Sequence, residues 1–328
     1  MLGVSGCDDE VVGFAEVTND GASTGVATAS TGPEPSASSS TGLSLEDSSS
    51  GLAAQDGLPD YVAYGFEAGL AVSFEDGEAW TDVPALGEMP LREAMVRGED
   101  RIVVVGGDRS ATTLDGFAWD VSAFDVSGYA RAVAYGSGGF VSVGFDHFAW
   151  SEDGQTWSDA RGDLMGLDLV ALAYGGGRFV AVGIDQVVTS ENGQDWSATE
   201  AVGEKLTSVV FGDGRFVAVG ELGRILETQD GVTILRDEAS GLAGLGTIRF
   251  CDDTFVIGTA NRYWLSPDAD DWTEVASAGD GAFACSGTSW VLAKLEGLFW
   301  APELGVFSPA HTAKSVFYEV EFTGLGSP

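Results

Sequence analysis

The chain has 328 residues, 44% of them hydrophobic, with 47 glycines and only 9 prolines. Its 51 acidic and 15 basic side chains leave a formal net charge of −36, which repels phosphate backbones and so excludes a nucleic-acid partner. The charge serves solubility first, and it also sets a field that would steer cationic partners. No apolar run approaches the length of a membrane-spanning helix.

Residues 1–56 carry nine acidic side chains and no Lys or Arg. Runs such as Ser30-Thr-Gly-Pro-Glu-Pro-Ser-Ala-Ser-Ser-Ser-Thr-Gly42 bury too little apolar surface to offset the entropy of ordering. The stretch reads as a disordered, extended tether, with the folded domain spanning 57–328. Within the tether, Val4-Ser5-Gly6-Cys7 resembles the lipobox of bacterial lipoproteins. The resemblance implies a signal peptide cleaved before Cys7 and a lipid on Cys7. The protein would then be attached to a bacterial cell envelope through that lipid only. Six residues before Cys7 are too few for a signal peptide, so Met1 is expected to lie inside a longer leader.

From about residue 57 a short β-branched and aromatic phrase recurs, as in Phe140-Val-Ser-Val-Gly144, Phe179-Val-Ala-Val-Gly183 and Phe216-Val-Ala-Val-Gly220. Seven copies begin at Tyr61, Ile102, Phe140, Phe179, Phe216, Phe255 and Trp290, 35 to 41 residues apart. An apolar run and a Gly-rich turn precede most copies, and a third and fourth run follow. Four short strands per repeat predict an all-β, seven-bladed β-propeller of four-stranded blades. The first copy lacks a leading strand, while Ser315-Val-Phe-Tyr-Glu-Val-Glu-Phe322 is a strand with nothing after it. The C-terminal strand is therefore expected to join the N-terminal blade and close the ring, which removes open edges.

After each third strand comes a second phrase, Ser151-Glu-Asp-Gly-Gln-Thr-Trp157, Ser190-Glu-Asn-Gly-Gln-Asp-Trp196 or Thr228-Gln-Asp-Gly-Val-Thr-Ile234. Asp115-Gly-Phe-Ala-Trp119 follows Thr113, and Ser266-Pro-Asp-Ala-Asp-Asp-Trp272 is a weaker copy. Asp76-Gly-Glu-Ala-Trp80 has Phe74 in the Ser place, and the last blade keeps only Ala301-Pro-Glu-Leu-Gly-Val-Phe307. The phrase resembles the Asp-box, or BNR repeat, of sialidase-like propellers. Physically it reads as a structural turn. Asp76, Asp115, Asp153, Asn192, Asp230 and Asp268 would accept amide hydrogen bonds, Gly would take the left-handed conformation, and Trp would bury its ring between blades.

The resemblance opens two functions. A sialidase-like glycoside hydrolase would need an arginine triad with an Arg-Ile-Pro motif, but Arg101-Ile102 continues to Val103. The count of seven blades is closer to propellers similar to the photosystem II assembly factor family, which act as docking scaffolds. The leading expectation is a monomeric scaffold that binds a protein or a carbohydrate, without cofactor, metal or catalytic set. Two histidines, His147 and His311, and no metal-ligand spacing motif agree with that. In four-stranded blades, the loops between strands 2 and 3 share a face with the blade-to-blade connections. Here these loops vary most, so Arg109, Asp146, His147, Asp185, Glu221, Arg224, Arg262 and Tyr263 mark a candidate binding face. Cys251 and Cys285 end the first strands of adjacent blades, and an exported compartment would allow a disulfide between them.

Overall fold

The computed structural model describes residues 57–322, apart from 66–68, 84–93, 200–202, 204, 243–245, 260–261, 277–280, 295, 305–306 and 313–316. The tether assigned to 1–56, with Cys7, lies outside the described residues. Seven antiparallel four-stranded sheets form a ring of blades. Blade 1 is built from β1 (Tyr61–Gly65), β2 (Leu70–Ser73) and β3 (Thr81–Val83), with β28 (Phe317–Phe322) in first place. Blade 2 holds β4 (Ala94–Arg97), β5 (Ile102–Gly106), β6 (Arg109–Thr113) and β7 (Asp120–Ala123). Blade 3 holds β8 (Tyr129–Gly136), β9 (Gly139–Phe145), β10 (His147–Ser151) and β11 (Ser158–Asp159), and blade 4 holds β12 (Leu169–Gly175), β13 (Arg178–Gly183), β14 (Val187–Ser190) and β15 (Ser197–Ala198). In blade 5 they are β16 (Leu206–Gly212), β17 (Arg215–Gly220), β18 (Arg224–Thr228) and β19 (Ile234–Ala239). Blade 6 comprises β20 (Thr247–Cys251), β21 (Thr254–Gly258), β22 (Arg262–Ser266) and β23 (Thr273–Ala276). Blade 7 comprises β24 (Ala282–Cys285), β25 (Trp290–Lys294), β26 (Gly297–Ala301) and β27 (Ser308–His311). The seven copies legible in the sequence are the second strands.

Second strands are buried on both faces, which is why they read as unbroken apolar phrases rather than alternating ones. In blades 3–6 the first strand places an aromatic ring opposite the aromatic that opens the second. The pairs are Tyr135–Phe140, Tyr174–Phe179, Phe211–Phe216 and Phe250–Phe255, with centroids 4.6–4.9 Å apart. Such pairs add about 0.5–1.5 kcal/mol each beyond the area they bury. In blades 3–5 glycine ends the first strand so that the next blade can approach. A Cβ on Gly175 would lie 2.0 Å from the Phe211 ring, and one on Gly136 would lie 2.3 Å from Tyr174. Composition suggested hairpin turns at these glycines; close packing of neighbouring blades is an equal reason for them.

The turn between strands 3 and 4 repeats as hydrogen-bonded hardware. In blade 3, Asp153 Oδ1 accepts from the amides of Gln155 (2.9 Å) and Thr156 (2.7 Å). Ser151 Oγ accepts from the Gly154 amide (2.8 Å), and Trp157 Nε1 donates to the Gly154 carbonyl (3.0 Å). Asp115, Asn192, Asp230 and Asp268 each accept the corresponding pair of amides. In the weaker copy Ala269 takes the glycine place at φ 60°. The tryptophans pack on the preceding blade, as Trp196 does edge-on against Phe148 at 5.3 Å.

Blade 1 departs from the expected register. Its turn is one residue longer, and Ser73 rather than Phe74 fills the Ser place, accepting from the amides of Glu75 (3.3 Å) and Gly77 (3.1 Å). The additional residue is Asp76, at φ 50°. Its carboxylate does not cap its own turn; it reaches blade 7 and accepts from Ser286 Oγ (2.9 Å), Thr288 Oγ1 (2.6 Å) and Ser289 Oγ (2.8 Å). Beside it the Tyr61 hydroxyl meets Ser289 Oγ at 2.9 Å, and burial pushes its pKa up to about 12. On the other side of β1, β28 pairs antiparallel from Tyr61↔Phe322 to Gly65↔Phe317 and closes the ring. Cys251 and Cys285 form a disulfide that ties the first strands of blades 6 and 7, with Cα atoms 6.1 Å apart.

The repeated turn carries a test. Partial burial raises the Asp153 carboxyl, but the Thr156 and Gln155 amides outweigh it and hold it below the usual range; Asp115, Asp230 and Asp268 also sit low. A depressed folded pKa gives stability that is present above the unfolded pKa of about 3.9 and lost as pH falls through the folded value. Asp153→Ala should cost about 1–2 kcal/mol at pH 7 in urea unfolding, and Asp153→Asn, which mimics Asn192, distinctly less. Asp153→Asn should also lose less stability than wild type on acidification. Equal losses for the two variants would show that the carboxylate oxygen is not the turn's acceptor.

Candidate functional site

One face of the ring carries the loops between strands 2 and 3 together with the blade-to-blade connections. In blades 3–5 its inner rim is zipped by backbone contacts. Tyr129 pairs with Phe145, Phe145 bridges Asp168, and the Ile184 amide donates to the Asp168 carbonyl at 3.1 Å. Ile184 then bridges Lys205, whose carbonyl accepts from the Glu221 amide at 3.0 Å. The connection bearing Met165 folds onto the same rim, because the Gly166 amide donates to Asp146 Oδ1 at 3.0 Å.

This rim exposes large apolar side chains. Relative exposure is 61% for Tyr129, 46% for Phe145, 71% for Met165, 44% for Ile184 and 78% for Leu222. Leu222 is held in the left-handed region at φ 58°, ψ 19°, inside a 3-10 turn spanning Glu221–Gly223. A bulky side chain pays strain there without gaining burial, a combination that points to use rather than to folding. Of nine exposed large hydrophobics among the described residues, these five share one face. Leu114 and Val232 sit singly in strand 3–4 turns on the other face, and Val121 and Leu235 lie on outer strands.

The same three blades are bulged where the first strand meets the rim. Register shifts at Ala130/Ala132, Leu169/Ala171 and Leu206/Ser208 leave Arg131, Val170 and Thr207 as extra residues. All three line the central channel, a cavity of about 310 Å³ that also includes Met95, Arg249 and Glu321. Arg131 is paired with Asp168, and Arg249 Nη2 donates to Glu321 Oε1 at 2.8 Å. Burial pushes the Glu321 carboxyl up, and the Arg249 guanidinium works against that rise.

The residues expected on the binding face divide into two groups. Arg109, Asp146, Asp185, Glu221 and Arg262 reach solvent at least in part. Asp146 also accepts from Arg161 Nη1 (3.3 Å), Glu221 faces Lys205 Nζ (3.5 Å), and Arg262 pairs with Glu274 (3.2 Å). His147, Arg224 and Tyr263 are interior instead, at 0%, 5% and 1% exposure, because the loops are so short that the next strand begins at once and turns these side chains inward. His147 lies between the Ser127 carbonyl (3.1 Å) and Ser142 Oγ (3.2 Å), and burial lowers its pKa. Arg224 grips Asp237 through two guanidinium nitrogens within its own blade, and Tyr263 packs edge-on against Phe283 at 5.3 Å. Charge marks these loops in the sequence, whereas the apolar rim residues beside those charges look like the ends of core strands.

No protein-family model matches the sequence, and no curated protein matches it. Solved structures match the fold. The structure described as YCF48 bound to D1 peptide shares 18% identity at a TM-score of 0.56, over 70% of this chain and 84% of that one. The computationally designed Ika8 protein shares 16% at 0.54, over 81% and 92%. Virginiamycin B lyase from Staphylococcus aureus shares 9% at 0.53, over 74% and 90%. A peptide-bound protein, a design and a lyase thus share one architecture, and what this chain does rests on its own surface.

The channel pair yields a pH-dependent outcome. Arg249→Met leaves the Glu321 carboxyl without its cation and raises its folded pKa further. A raised carboxyl pKa lowers stability as pH climbs above the unfolded value of about 4.3. The variant should therefore lose more stability at pH 8 than at pH 5 in urea unfolding. An equal loss at both would mean that the two groups are not coupled.

Proposed function

We propose that this chain is a protein-binding propeller whose working surface is the apolar rim on blades 3–5. The observation that carries this reading is the gathering of five exposed large hydrophobics on one face around bulged first strands. Exposed apolar patches rimmed by polar groups mark interaction surfaces. The structure of YCF48 with a D1 peptide supports the reading only as a case of this architecture holding a peptide. We further propose that the repeated turns are Asp-boxes and that the domain is exported and held at a bacterial envelope by a lipid on Cys7. The Cys251–Cys285 disulfide suits an oxidising compartment.

The glycoside hydrolase alternative finds less. The channel lining brings together two arginines, Arg131 and Arg249, each already on a carboxylate, and holds no tyrosine among the described residues.

Site-specific photocross-linking in native cells tests the face. A photoreactive residue replacing Asp163, in the connection beside Met165, should give a discrete adduct. The same group replacing Asp195, in a strand 3–4 turn, should give none. Adducts from Asp195 alone, or equally from both, would remove the assignment.

A further inference from the structure

We propose that the rim on blades 3–5 docks a cationic, apolar-bearing segment of a partner protein, a proposal that rests on the binding face assigned above. Its large apolar side chains would seat on Phe145, Met165, Ile184 and Leu222, and its Lys or Arg groups would meet the carboxylates of Asp125, Asp163 and Asp185. The pairing of acidic with apolar residues follows the repeat. At the end of the second strand, an acidic residue stands beside an exposed apolar one in three successive blades, as Phe145-Asp146, Ile184-Asp185 and Glu221-Leu222.

Charge complementarity sets the sign of the partner. The cations near the rim are already engaged: Arg131 with Asp168, Arg161 with Asp146 and Asp159, Lys205 with Glu221. Three carboxylates on the same rim, Asp125, Asp163 and Asp185, have no ion pair among the described residues. The unbalanced local charge is negative, on a chain whose net charge is −36. An anionic segment would meet repulsion here without a cation to bind. A purely polar cation would leave the apolar knobs in water, including the strained Leu222. A segment carrying both features uses both parts of the surface.

The test uses the full chain and short labelled peptides, followed by fluorescence anisotropy. One peptide alternates Leu and Arg, a second Leu and Glu, a third Ser and Arg. The Leu/Arg peptide should bind, and the other two should bind at least about tenfold more weakly. Its affinity should fall as salt is raised. Met165→Ser with Leu222→Ser should weaken it by about tenfold or more. Leu114→Ser with Val232→Ser, which removes two exposed apolar groups from the opposite face, should leave it unchanged. Absence of Leu/Arg binding, equal binding of either control peptide, or equal loss in both double variants would overturn the proposal. Cross-linking from Asp163 that survives such a result would retain the binding face and dismiss only the cationic partner.

Discussion

A blade hides both of its faces against its neighbours, so no blade of a propeller is satisfied until the ring closes. The constraint is sharpest at β1, whose five residues are wholly buried. Buried amides and carbonyls need partners on both edges of a strand, and β2 supplies only one edge. The other is supplied by β28, from the far end of the chain. Asp76 and Tyr61 lock the same seam to blade 7 through the hydroxyls of Ser286, Thr288 and Ser289. The additional residue in the first turn, which breaks the repeat, is the one that supplies the lock.

Closure divides the molecule into a regular face and a free one. On the regular face, the strand 3–4 turns of blades 2–6 consume their own polar groups. Ser or Thr, Asp or Asn, and the Trp ring nitrogen are spent on local amides and carbonyls, and the aromatic–glycine contacts hold blade to blade. On the free face, backbone bridges such as Phe145↔Asp168 and Ile184↔Lys205 hold the rim. With the backbone fixed by those bridges, side chains there are released from folding duty. That freedom is where Tyr129, Phe145, Met165, Ile184 and Leu222 stand exposed, and where bulges turn Arg131, Val170 and Thr207 into the channel.

The architecture was readable in the chain because it is periodic. Seven phrases from Tyr61 to Trp290 became seven second strands, and the orphan run ending at Phe322 became the first strand of blade 1. Features that depend on a partner strand were not readable. A bulge at Arg131 exists only relative to β9, and the longer turn at Asp76 looks like the others until its carboxylate is seen on blade 7. Part of the exposed rim was legible, since Asp146, Asp185 and Glu221 stand on it and reach solvent at least in part. His147, Arg224 and Tyr263 misled because polarity one residue past a tight turn says nothing about which way the side chain points. Phe145 and Ile184 escaped notice because an apolar residue at a strand end looks like core.

The account stands on the pairing of β28 with β1, because that pairing makes the ring rigid enough to present a rim. Native-state hydrogen exchange measures it directly. The amides of Val62 and Glu321, which face each other across the two strands, should exchange together with the slowest class of core amides, such as those of Val104 and Val180. Fast exchange at Glu321 with slow exchange elsewhere would show an open ring and contradict the account.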